Sequence, residues 1–151
     1  MLDRRDFLLG VAALGLAACG KEPPPPPTVL NLGLSAQPGA NAAGGGDRPL
    51  TVTVLRLKDV ATFQSADYQA LQDPTAALGG DLVGMDQVVL GPGGNASRSI
   101  TFEDDAAYVG IVAAYRDPNG VQWRSQAAVP RNQTTSATAS FTPAGVVLSM
   151  A

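Results

Sequence analysis

The sequence predicts a mainly β fold, a two-sheet β-sandwich of about eight strands carrying a small two-helix insertion. Three observations lead there. Short apolar runs recur from Thr28 to the C-terminus, parted by Gly, Pro, Asn and Asp. Several of these runs alternate apolar and polar residues at period two. Helix signals gather in one stretch, about 60–80.

Each element has its own reason. Thr28 to Leu34 is the first predicted strand. In Leu50 to Leu57, Leu50, Val52 and Val54 alternate with Thr51 and Thr53. Gln87 to Leu90 is short and stopped by Gly91-Pro92-Gly93-Gly94. Ser99 to Phe102 places Ile100 and Phe102 on one face. Tyr108 to Tyr115 is apolar on both faces, as a central strand should be. Asp117-Pro118-Asn119-Gly120 then forms a turn, and Val121 to Val129 returns as a hairpin partner with Val121, Trp123 and Val129 on its core face. Thr135 to Phe141 and Val146 to Met150, parted by Pro143-Ala144-Gly145, complete the set. The insertion should contain a helix over Ala61 to Leu71. A second should start at Asp73-Pro74, where Asp73 caps and Pro74 fits the first helical position, and end at Gly79-Gly80.

The N-terminus carries a different signal. Arg4 and Arg5 precede Phe7 to Ala18, an apolar stretch too short to cross a membrane core of about 30 Å. It ends in Leu16-Ala17-Ala18-Cys19, the layout of a bacterial lipoprotein signal. Cys19 is the only cysteine. A lone thiol in an exported chain normally needs a partner, and a lipid removes that problem. The organisation expected is therefore a leader over 1–18, a lipidated Cys19 and proline-rich tether over 19–27, and a sandwich domain over 28–151. More than one acyl chain on Cys19 makes the anchor stable, since a single chain binds only marginally. Gly20 stands where an Asp would favour the inner membrane, which points to the outer one. Arg4-Arg5-Asp6-Phe7-Leu8 resembles a twin-arginine signal without its flanking Ser and Lys, so the export route stays open between that and Sec. Five prolines, Pro23 to Pro27, favour polyproline II and make a stiff spacer of roughly 15 Å.

Composition excludes most chemistry. The net charge is −3, and it stays −3 without the leader, because Arg4 and Arg5 leave with Asp3 and Asp6. There is no basic patch for nucleic acid. With no histidine and its one cysteine lipidated, the chain has no zinc ligand set and no Ser-His pairing. Glu103-Asp104-Asp105 is consecutive at a strand end, so it reads as a solvated turn rather than an acid–base pair across a cleft. Gly91-Pro92-Gly93-Gly94 lacks the Lys of a phosphate loop. No cofactor and no small-molecule substrate are expected. What stands out is Ser35 to Arg48, a glycine-rich connection of about 14 residues, longer than most.

Several segments resemble the type VI secretion lipoprotein family TssJ (SciN). They are Arg48-Pro49 leading into Leu50 to Arg56 and Leu57-Lys58-Asp59; Phe63 with Ala66-Asp67-Tyr68 and Leu71; Leu78-Gly79 with Asp81-Leu82; Leu90-Gly91-Pro92-Gly93; Ala107 to Gly110 running on to Ala114-Tyr115-Arg116-Asp117; and Trp123-Arg124. The resemblance implies a transthyretin-like sandwich on an outer-membrane lipoprotein facing the periplasm. It implies binding to the periplasmic C-terminal domain of a TssM-type inner-membrane component through the loop between the first two strands. Here that loop is Ser35 to Arg48, with Gln37, Asn41, Asp47 and Arg48 as the candidate contact residues. Its Asn41-Ala42-Ala43-Gly44-Gly45-Gly46 departs from the Asn-Pro-Asp often found in the family, and the glycines should make it more mobile. The rival from another class is a small-ligand or cell-wall-binding lipoprotein on the same sandwich, which would need a lined pocket or an aromatic strip.

Overall fold

The computed structural model describes residues 22–151, so the leader and Cys19 lie outside the described residues. Among the described residues eight strands form two four-stranded sheets. They are β1 (Thr28–Ala36), β2 (Leu50–Leu57), β3 (Leu82–Leu90), β4 (Asn95–Phe102), β5 (Tyr108–Ala113), β6 (Arg124–Ala128), β7 (Thr134–Thr142) and β8 (Gly145–Met150). The first sheet runs β4-β1-β7-β8 and the second β3-β2-β5-β6. All pairings are antiparallel except β1 with β7.

The main core lies between the sheets. On β1, Leu30, Leu32 and Leu34 point inward and are buried, while Asn31 and Ser35 face out. β7 repeats the alternation with Ala137, Ala139 and Phe141. β5 is buried on both faces, as its sequence requires. Val109, Ile111 and Ala113 enter the main core, and Val112 enters a second one. That second core forms where the insertion covers the outer face of the second sheet. It unites Leu55, Leu57 and Val112 of the sheet with Phe63, Leu71 and Leu78 of the insertion.

The insertion is more broken than the sequence suggests. α1 (Ala61–Ser65) stops at Ala66, which turns extended, and a 3-10 turn follows at Ala70–Gln72. The cause is tertiary. The Arg124 guanidinium takes the carbonyls of Phe63 and Ala66, capping α1 early. Asp67 then accepts from the amide of Ala70 and starts the next turn. α2 (Pro74–Leu78) starts as predicted, with the Asp73 carboxylate accepting from the Ala76 amide and Pro74 in its first turn.

Three strands also start several residues away from the predicted position, while the other strand ends shift by one or two residues. β3 begins at Leu82, ahead of the predicted Gln87, because Gly84 leaves room for Arg56. A Cβ on Gly84 would lie 1.9 Å from the Arg56 guanidinium, which crosses it to reach Asp86 at 2.9 Å. β4 begins at Asn95 rather than Ser99, because its first half pairs with β1. β6 begins only at Arg124. Just before it the Trp123 carbonyl still accepts from the Ala113 amide (2.8 Å), but Gln122 turns to the other sheet, where its amide donates to the Ala144 carbonyl (3.0 Å) and the Val146 amide donates to the Gln122 carbonyl (2.8 Å). Gly145, at φ 137°, is the residue that permits this approach, since a Cβ there would sit 2.5 Å from Gln122. Trp123 is accordingly half-buried and touches both cores, instead of lying in a single strand face. Tyr68 meets its ring edge-on at 5.2 Å, and Arg124 lies over it at 4.6 Å.

The chain enters this fold through exposed Pro23 to Pro27. The side-chain amide of Asn132 donates to the Pro26 carbonyl (2.8 Å), and its backbone amide donates to the Thr28 hydroxyl (2.7 Å), so the spacer is fixed where it meets β1.

Phe63→Ala tests the second core. Phe63 is fully buried, so its loss should cost about 3–5 kcal/mol in urea unfolding. A cost below about 1 kcal/mol would mean the insertion is not packed as described.

Candidate docking loop

β1 and β2 lie in different sheets, so the chain must cross the end of the sandwich between them. Ser35 and Ala36 complete β1, which leaves 37–49 for the crossing. The glycines do not leave this segment open. The Gly39 amide donates to the Asp47 carboxylate at 2.7 Å, drawing the two limbs together. Successive turns close from the Ala40 amide to the Gln37 carbonyl, Ala42 to Gly39, and Gly45 to Ala42. The Gln37 amide ties the first limb to the Phe141 carbonyl at the end of β7.

Asn41 joins the loop to the body. It is buried, at 6 % exposure. Its Nδ2 donates to the Pro49 carbonyl (3.0 Å), and its Oδ1 accepts from the Arg116 amide (2.8 Å). Both ends of the side-chain amide are thereby used within the fold. Of the four candidate contact residues, Gln37, Asp47 and Arg48 are exposed and Asn41 is turned inward. Asp47 is exposed but partly committed to Gly39.

The segment against which the loop rests is one that sequence reasoning took only as a strand tail and turn. Tyr115 is buried and donates its hydroxyl to the Thr142 carbonyl at 2.8 Å, while Tyr68 donates to the Tyr115 carbonyl at 2.7 Å. The turn itself forms as predicted, with the Asp117 carboxylate accepting from the Asn119 amide and Gly120 at φ 70°. Between this segment and the loop lies a cleft of about 200 Å³ lined by Ala40, Asn41, Tyr115, Asp117 and Val121, among others. The available signal was Tyr115 itself, a large residue with one polar atom that has to find a partner when buried.

The acidic run sits at the other end and is engaged in ion pairs. Glu103 accepts from Arg56 at 3.1 Å, and Asp105 faces Lys58 at 3.4 Å. Both pairs are exposed enough to add little stability. Among the described residues no cluster of His, Cys, Asp or Glu could hold a metal ion.

The family model of type VI secretion lipoproteins (VasD, EvfM, TssJ) matches residues 28–143, which takes in the sandwich, the insertion and the loop. The chain belongs to this family. Solved structures agree. The T6SS lipoprotein TssJ1 from Pseudomonas aeruginosa is 33 % identical, over 83 % of this chain and 98 % of that one, with a TM-score of 0.77. Serratia marcescens Lip, a membrane-bound component of the type VI secretion system, is 28 % identical over 81 % and 96 %, with a TM-score of 0.76. A chain from the structure described as the TssM C-terminal domain (869–1107) from EAEC is 25 % identical over 82 % and 98 %, with a TM-score of 0.61. No curated relative matches the chain.

Two measurements check the loop's attachment. Asn41→Ala leaves the Arg116 amide and the Pro49 carbonyl without their partner, so it should cost about 1–3 kcal/mol in urea unfolding. Amide exchange at Arg116 should speed up with it, and unchanged exchange there would contradict the latch. Burial pushes the Tyr115 phenol up to about 12 and raises that of Tyr68. The folded state thus holds these protons more tightly than the unfolded chain. Stability should be indifferent to both groups below pH 10 and fall as pH rises from 10 to about 12. In Tyr115→Phe that fall should be shallower, read from unfolding midpoints across this range.

Proposed function

We propose that this lipoprotein tethers the periplasmic C-terminal domain of a TssM-type inner-membrane component to the outer membrane. The acyl groups on Cys19 hold the membrane, the prolines set the height, and the 35–48 loop meets the partner. The role is mechanical and needs no catalytic group.

One observation supports the partner most strongly. The chain matched in the TssM structure is covered over 98 % of its length by this 151-residue protein. It is therefore of this size, far shorter than the fragment 869–1107 for which that structure is named. A chain of this fold accordingly stands beside a TssM domain there. Family membership supports the lipid anchor, and the lipobox ending at Cys19 says where the lipid goes.

On this reading the loop residues have two roles. Gln37, Asp47 and Arg48 present exposed polar groups for contact. Asn41 positions them, because it fixes the loop to Pro49 and Arg116. The closure of the loop on itself also lowers the ordering entropy that docking must overcome.

The test combines binding and export. In calorimetric titration with the TssM-type domain, Gln37→Ala with Arg48→Ala should weaken affinity at least tenfold while leaving the unfolding midpoint unchanged. Unaltered affinity would remove the loop from the interface. Cys19→Ser should leave the protein soluble in the periplasm and stop secretion, and normal secretion by that variant would defeat the tether.

A further inference from the structure

The two proposed attachment points lie at opposite ends of one strand. The lipid-bearing segment enters β1 at Thr28, and the loop leaves it after Ala36. β1 is nine residues long and already extended, so it spans about 30 Å with almost no slack. It is also held on both sides. Thr28 to Ser35 pair with β4, and Val29 to Ala36 pair with β7.

We infer that tension between the membrane and the loop runs along the covalent backbone of β1 and bypasses the rest of the sandwich. This deepens the tether reading and rests on it. A force applied at Thr28 and at the loop pulls on the two ends of a strand that is at full length. Stretching it further would need bond-angle distortion, which rises steeply in energy. No strand has to slide past another, and no core residue has to leave its place. The chain from the spacer to the partner is then a nearly inextensible line, and the sandwich is a body threaded on it.

The compliance of this line is confined to the loop. Under load the Gly39–Asp47 bond, the turns at Gln37, Gly39 and Ala42, and the Asn41 latch would give way, and the loop would straighten. From Gln37 to Arg48, the last candidate contact, the chain can reach at most about 43 Å when fully extended, so the total lengthening stays below that, and the limb from Gln37 to Ala43 reaches at most about 25 Å. Gly44, Gly45 and Gly46 lie beyond this limb and add reach only if the partner holds a later residue. A connection from the membrane through β8 would behave in the opposite way, because the load would have to cross the β1–β7 and β7–β8 pairings and open the fold.

The protein offers a direct test, because Cys19 is its only thiol. The chain beginning at Cys19 can be pulled in optical tweezers between Cys19 and a second thiol at Ala43→Cys, an exposed loop position. A control places the second thiol at Ala151→Cys, also exposed. The control should open in a release of about 400 Å, the contour length of the sandwich. The loop attachment should lengthen by less than about 30 Å at every force up to that at which the control has opened. A release on the order of 100 Å or more from the loop attachment would overturn the inference, since it would mean that the load had reached the sandwich. The isolated chain is used, so this result is independent of partner binding. A wrong docking loop would instead show as unaltered affinity of the Gln37 and Arg48 variant.

Discussion

The structure depends on the double pairing of β1. One strand is bonded to β4 on one side and to β7 on the other, with the inner leucines Leu30, Leu32 and Leu34 in the main core. Its parallel bond to β7 joins the first strand of the fold to nearly the last. That pairing brings the end of β7 beside the end of β1, where Phe141 takes the Gln37 amide and Thr142 takes the Tyr115 hydroxyl. The loop therefore has a floor because the chain's last third returns to its beginning. At the other end the same pairing sets the β6–β7 turn beside the tether, and Asn132 clamps Pro26 and Thr28.

The second constraint is that the β3-β2-β5-β6 sheet is covered on both faces at its central strands, β2 and β5. β2 and β5 send Val52, Val54, Val109 and Ile111 to one core and Leu55, Leu57 and Val112 to the other. Trp123 sits against both, with Tyr68 at its edge and Arg124 on its face. Arg124 also takes carbonyls of α1, so a single side chain couples the insertion to β6. Tyr68 carries the coupling onward to the Tyr115 carbonyl and so to the segment under the loop. The insertion is thus part of what stiffens the end that carries the 37–49 crossing, although it lies on the outer face of a sheet.

The sequence was most informative where a residue's environment is local or periodic. The alternation in β1, β2 and β7, the two-faced apolar run of β5, the Asp73-Pro74 start and the Asp117 to Gly120 turn all follow from neighbours along the chain. It was least informative where a distant side chain intervenes. Nothing near Ala66 says that Arg124 will end α1 there. Nothing near Gly84 says that the Arg56 guanidinium will lie across it. Val121 to Trp123 reads as a strand on period alone, but Gln122 finds a better partner in the other sheet, at a glycine that admits it. The candidate docking loop was visible as an outlier in length and composition. Its closure was not, because an Asn, an Asp and several glycines fit an open loop as well as one latched by Asn41 and Asp47. The family resemblance supplied the partner, which composition could not.

The central claim is that the 35–48 loop, at the end of β1 remote from the lipid, is where the partner is held. Site-specific photocrosslinking in secreting cells tests it most directly, with the photoreactive residue placed at Arg48 in one strain. In a second strain it replaces Ser99, exposed on the outer face of the β4-β1-β7-β8 sheet. The account predicts a crosslink from position 48 to a large inner-membrane protein and none from position 99. A crosslink to that protein from position 99, with none from 48, would contradict it.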